Sequence, residues 1–183
     1  MTRSDALQLM QTHVKNENLR RHMYATEAAM RWYAEKYGGD VEEWGIVGLL
    51  HDFDWEIHPS LEEHPSKGQP ILEQAGVSPE IRRAILAHAT HTGTKPESMM
   101  EKCMFAVDEL TGFLVACALV TPSKKLADVK IESVKKKLKQ KGFAANVNRD
   151  DIQAGFTLLN IGEDEHIGNV LQAMQSIHEE LGL

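Results

Sequence analysis

The sequence holds only two cysteines, Cys103 and Cys117, each inside an apolar, helix-like stretch. Two such residues cannot build a disulfide framework, and they read as buried thiols in a reducing compartment. No apolar run approaches the roughly 20 residues that a membrane helix needs. The opening MTRSDALQLMQTH lacks the apolar centre of a secretory signal. A soluble cytoplasmic protein with no membrane partner is expected. Basic charge is also scarce: 20 Lys and Arg face 27 Asp and Glu, a formal net charge of −7. That balance argues against sequence-independent binding to nucleic-acid phosphates. GxGxxG and Walker-type loops are absent, which removes the case for a dinucleotide cofactor or an ATP-driven motor; GxSxG is absent too.

What is present is ordinary globular material: 183 residues, 42% hydrophobic and 26% charged. A chain of this length buries about 70% of its unfolded surface, so neither a disulfide nor a structural metal is needed for folding. No Pro/Gly/Ser-rich linker, internal repeat or period-2 strand pattern divides it. The periodicity is helical throughout and predicts an all-α fold, a compact single-domain helical bundle over 1–183. Ser4 is a candidate cap for a first helix. Asn16 opens a second, from Glu17 to about Tyr37, which Gly38-Gly39 ends. Asp40 caps a third, to about His51. An irregular stretch with two His-Pro pairs follows, then short helices near Ile71–Ala75 and after Ser78-Pro79. His91–Pro96 reads as a loop. A long apolar helix spans about Glu97–Val120, and a helical tail runs to Leu181.

Nine histidines are present, and their placement matters more than their number. His22 lies on the second helix. His51-Asp52 closes the apolar run Ile46–Leu50. His64 sits in the His-Pro-Ser-Lys-Gly loop, and His88 ends the helix of Ile85 and Leu86. Asp108 interrupts an otherwise buried face, where a carboxylate is costly unless paired or bound to a cation. Imidazole with carboxylate suits Zn, Mn, Fe or Co better than an all-oxygen site. His22, His51, Asp52 and Asp108 suffice for one metal. His64 and His88 provide for a second, with Asp52 bridging through its two oxygens. Such a pair clamps phosphoryl oxygens and activates a water for in-line displacement.

The order His…His-Asp…His…His…Asp, in helical surroundings, resembles the HD-domain superfamily of metal-dependent phosphohydrolases, and within it the small bacterial two-metal hydrolases. His64-Pro65…Gly68, Ala84–His88 and Glu101–Leu110 are similar to the further motifs, and the resemblance spans about 18–120. The helical extension, about 121–183, lies outside it. The resemblance implies an HD-type bundle with His22, His51, Asp52 and Asp108 as metal ligands, His64 and His88 completing a second position, and Asp52 with His51 at the catalytic centre. It implies one or two divalent ions (Fe, Mn, Zn, Co, Ni or Mg) and a small phosphorylated, nucleotide-like substrate cleaved at a phosphoester or phosphoanhydride. The chain departs from many family members after the His-Asp pair, where Phe53-Asp54-Trp55 replaces a small residue followed by Lys or Arg. A one-metal nucleotidase and a non-catalytic metal- or nucleotide-binding module are the alternatives, and the oligomeric state stays open.

Since no basic residue follows Asp52, a cation for substrate phosphate is expected elsewhere. Lys124 and Lys125, after the helix of Asp108, are candidates, with Lys67, Arg20 and Arg21 as rivals. His91 would face the same site if the helix of His88 persisted. Asp54 and Glu109, each near a proposed ligand, are candidates for orienting an imidazole, contacting substrate or acting as acid or base. Ser123–Lys141 is otherwise read as an amphipathic helix with a solvated lysine face. His13, His58, His166 and His178 are expected at the surface.

Overall fold

The computed structural model describes residues 1–183 and contains helices and turns but no strand. The helices are α1 (Arg3–His13), α2 (Glu17–Tyr37), α3 (Val41–Leu50), α4 (Gln69–Gln74), α5 (Pro79–Ala87), α6 (Met99–Leu119), α7 (Ile131–Leu138), α8 (Arg149–Leu159), α9 (Glu163–Gln175) and α10 (His178–Leu181). Their starts follow local chemistry. The Asn16 side chain accepts from the Asn18 and Leu19 amides, and Asp40 from those of Glu42 and Glu43. Ser98 and Glu101 form a reciprocal capping box on α6. The first helix starts two residues earlier than Ser4 suggested, because Thr2 and Asp5 form the same box there.

α3 and α6 are the central helices, apolar on most of their circumference and therefore surrounded by others. Buried apolar side chains form one cluster that includes Ala6 of α1, Leu49, Ile85, Met104, Phe156 and Leu181. Two glycines set its tightest approaches. A Cβ on Gly48 would stand 2.8 Å from the α2 backbone at Glu27, and one on Gly155 would stand 2.9 Å from Ala106 on α6. The first contact brings the C-terminal end of α3 beside α2, hence His51 beside His22. The second seats α8, from the extension, directly on the helix that carries Asp108.

His166 is not at the surface. It is fully buried on α9, with Nε2 donating to the Ala106 carbonyl at 3.0 Å and Nδ1 accepting the Tyr33 hydroxyl. Both ring nitrogens are satisfied only in the neutral form, and burial lowers its pKa to about 4. Of the other three histidines, only His178 is well exposed; His13 and His58 are half-buried.

Two outcomes follow. Gly48→Ala should cost about 1–3 kcal/mol in urea unfolding through overpacking against α2, and should lower metal retention by separating His22 from His51. For His166 the unfolded chain binds the extra proton between its ordinary pKa near 6.5 and the folded value near 4. The neutral ring's contribution is therefore present above 6.5 and is lost as pH falls toward 4, about 3 kcal/mol at full effect. Urea midpoints across that window should flatten in His166→Asn relative to wild type.

Candidate metal centre

Six ligand-type side chains from five segments converge where α3 ends. His22 comes from α2, His51 and Asp52 from the end of α3, His64 from the 51–68 turns, His88 from the end of α5 and Asp108 from α6. They form two groups whose ligand atoms lie within 4.8 Å of one another: His22, His51 and Asp108, and Asp52, His64 and His88. His22 Nε2 is 3.0 Å from Asp108 Oδ1 and 3.1 Å from His51 Nε2. His64 Nε2 is 3.3 Å from His88 Nε2. Asp52 stands between the groups, with Oδ1 3.2 Å from His64 Nε2 and Oδ2 3.4 Å from His51 Nε2.

The outer ring nitrogens are all engaged. His51 Nδ1 donates to the Gly48 carbonyl at 2.8 Å, and His88 Nδ1 donates to the Ile85 carbonyl. His64 Nδ1 donates to Asp54 Oδ1 at 2.7 Å. The His22 Nδ1–H faces Thr111 Oγ1 at 3.2 Å, while the threonine hydroxyl donates to the Asp108 carbonyl. With Nδ1 engaged in this way, Nε2 is the nitrogen that each ring turns inward. Four such nitrogens and two carboxylates make a donor set suited to divalent transition metals, and both groups can hold an ion.

Without an ion these groups lean on one another. Burial alone would lower the pKa of His51, but Asp52 and Asp108 more than reverse this and raise it well above its ordinary value. His64 is likewise lifted against burial by Asp52 and Asp54, to about 9. His88 stays neutral because burial drives it to about 4. Burial would raise both carboxylates, but the imidazoles outweigh it. Asp52 is held far below the carboxylate range by His51, His64 and His22, and Asp108 by His51 and His22. Metal uptake therefore displaces protons from this cluster.

The metal-facing atoms open into a cavity of about 510 Å³. Trp55 and Leu61 from the 51–68 turns form part of its wall, as do Phe105, Glu109 and Gly112 of α6. Ala89, Thr90 and His91 line it as well, and the far wall, Asn146, Asn148 and Asp151, belongs to the extension. The sequence reading missed these three, and only the Asn148 cap before α8 gave any local signal there. Glu109 lines the cavity as expected, accepts the Asn148 amide at 3.0 Å, and is pushed up to about 7 by burial and by neighbouring Asp108.

Several expected contacts are not made. Of the roles expected for Asp54, the orienting one is seen: fully buried, it holds His64 and does not line the cavity. Gly68 leaves it room, since a Cβ there would lie 2.6 Å from Asp54 Oδ2. His91 does not continue the helix of His88, because Ala89 is extended; its Nε2 donates to the His64 carbonyl at 2.6 Å from the cavity rim. Lys67 points outward and pairs with Glu63. Lys124 and Lys125 line a different surface hollow, beside Gln175 and His178. The reason is the length of α6: from Asp108 to its last turn the helix climbs roughly 17 Å away from the metal-facing atoms. Arg20 is spent on the Val14 carbonyl and Glu17, and Arg21 lies beside Gly182. No Lys or Arg lines the cavity.

The family model described as HD domain matches residues 19–112, just over half of the chain. The protein belongs to the HD domain family. No curated protein and no solved structure matches the chain. The HD domain match takes in all six converging side chains and stops short of Asn146, Asn148 and Asp151.

Asp54→Ala should free the His64 ring and weaken ion binding at Asp52, His64 and His88 by about 10–100-fold. The His22, His51 and Asp108 group should change little. Metal titration followed by dialysis separates the two, and equal loss at both would show that Asp54 acts on the fold as a whole.

Proposed function

We propose that this HD domain protein is a metal-dependent phosphohydrolase that cleaves small phosphate esters, nucleoside monophosphates among them. The observation that supports it most is Asp52, one oxygen of which faces His51 and the other His64. On this reading His22, His51, Asp108 and Asp52 would hold one ion, and Asp52, His64 and His88 would hold another. Bound divalent ions supply charge neutralisation on phosphoryl oxygens and lower the pKa of water. The chain's own part is to keep each Nδ1 proton on its carbonyl, hydroxyl or carboxylate partner, so that Nε2 is the nitrogen each ring aims inward and the one that gives up its proton to an ion. Trp55, Leu61 and Phe105 give the cavity an apolar part of its wall beside the metal-facing end.

The absence of Lys and Arg from the cavity favours a second reading, a metal-binding module that retains a ligand without turning it over. One experiment decides between them. Wild type and Asp52→Ala, each assayed for metal content, are given para-nitrophenyl phosphate and a panel of nucleotides with Mn, Fe, Co, Ni, Zn or Mg. Bound metal with hydrolysis in the wild type, and both strongly reduced in Asp52→Ala, is the expected outcome. Bound metal without turnover across the panel would select the binding module, and identical behaviour of the variant would sink both.

A further inference from the structure

The outer cavity is polar and offers no Lys or Arg to offset additional negative charge. Beyond the six metal-facing residues its charged groups are two acids, Glu109 and Asp151. One oxygen of each is fixed by Asn148, whose main-chain amide reaches Glu109 Oε2 at 3.0 Å and whose side-chain amide reaches Asp151 Oδ2 at 2.6 Å. Glu109 Oε1 and Asp151 Oδ1 have no partner within the chain. The charged groups and helix-start amides nearby are already used up, which leaves an anion only the neutral side chains of Thr90 and Asn146. The amides that open α8, those of Asp150 and Asp151, both donate to Asn148 Oδ1. The nearest cation in the extension, Arg149, donates to the carbonyls of Phe143, Ala144 and Val147 and lies over the Phe113 ring at 5.2 Å. His91 is tied to the His64 carbonyl.

A phosphate seated at the metal-facing end would find its charge matched there and nowhere else. A second phosphate or a carboxylate on the same substrate would meet Glu109 and Asp151 with no cation to offset them. A positively charged amine would meet two acids, each with one oxygen free, in a cavity that carries no competing cation. We propose that the cavity selects a small phosphate ester bearing a positively charged amine, and that Glu109 and Asp151 are the residues that receive the ammonium. This rests on the phosphohydrolase reading for the phosphate end alone.

Three phosphonates that cannot be hydrolysed as esters and differ in their far group provide the test: 3-aminopropylphosphonate, butylphosphonate and 3-phosphonopropionate. Each is titrated calorimetrically into the manganese-loaded full chain, in wild type, Asp151→Asn and Glu109→Gln, with metal content checked in every sample. The amine compound should bind about tenfold more tightly than the neutral one, as one partly screened charge contact gives, and the carboxylate compound most weakly. Asp151→Asn should reduce the amine preference severalfold at unchanged metal content. Equal binding of the three, no binding by any, or tightest binding of the carboxylate compound would overturn the proposal. So would an amine preference that neither substitution alters. Hydrolysis of para-nitrophenyl phosphate without an amine preference would remove this inference and leave the phosphohydrolase reading intact. An amine preference without hydrolysis would do the reverse.

Discussion

Asp52 cannot be satisfied by a single partner, and the arrangement around it follows from that. Its carboxylate stands between two pairs of imidazoles with one oxygen toward each. Placing charge of this kind in a largely enclosed site is costly unless opposite charge is held close by. The helices accomplish this at their ends, where side chains leave the buried axis and carbonyls remain unpaired. The last turns of α3 and α5 use such carbonyls, at Gly48 and Ile85, to fix the rings of His51 and His88. The same geometric device appears twice, once in each group. α2 and α6 supply the other side through Thr111, which orients His22 while its hydroxyl donates to the main-chain carbonyl of Asp108.

Tight helix packing keeps these ends in register. With only a hydrogen at Gly48, α3 lies against the α2 backbone, and with only a hydrogen at Gly155, α8 lies against α6. The floor of the cavity and its outer wall thus rest on the same two central helices. Buried polar groups remote from the cavity are resolved in the same spirit. Glu27 is bracketed by Arg3 and Arg31, and His166 is held neutral between Tyr33 and Ala106.

The metal-facing set was legible in the sequence because its members are ligand-type side chains at the ends or on the faces of apolar helices, where bland explanations are costly. The helix boundaries near Asn16, Asp40 and Ser78 were legible for a similar reason, since capping chemistry is local. What orients the rings was legible only for His64, through Asp54, because a carbonyl such as that of Gly48 carries no residue-type signature. The outer wall was hidden by distance, since Asn146 to Asp151 follow Asp108 by some forty positions of unremarkable tail. Lys124 and Lys125 misled because nearness along the chain to Asp108 is undone by the rigid rise of α6. His166 misled because a charged ring is costly to bury, whereas a neutral ring with both nitrogens partnered is not.

The boundary of the HD domain match falls at Gly112, whereas the cavity continues past it to Asp151. The ion-facing residues and the far wall are therefore encoded in separate stretches of the gene, with some thirty codons between them that contribute neither. Mutational drift in the later stretch can retune what the pocket admits while every ligand in the earlier one is held constant. A lineage of such proteins would diversify by rewriting its tail, and a comparison confined to the matched domain would overlook the difference.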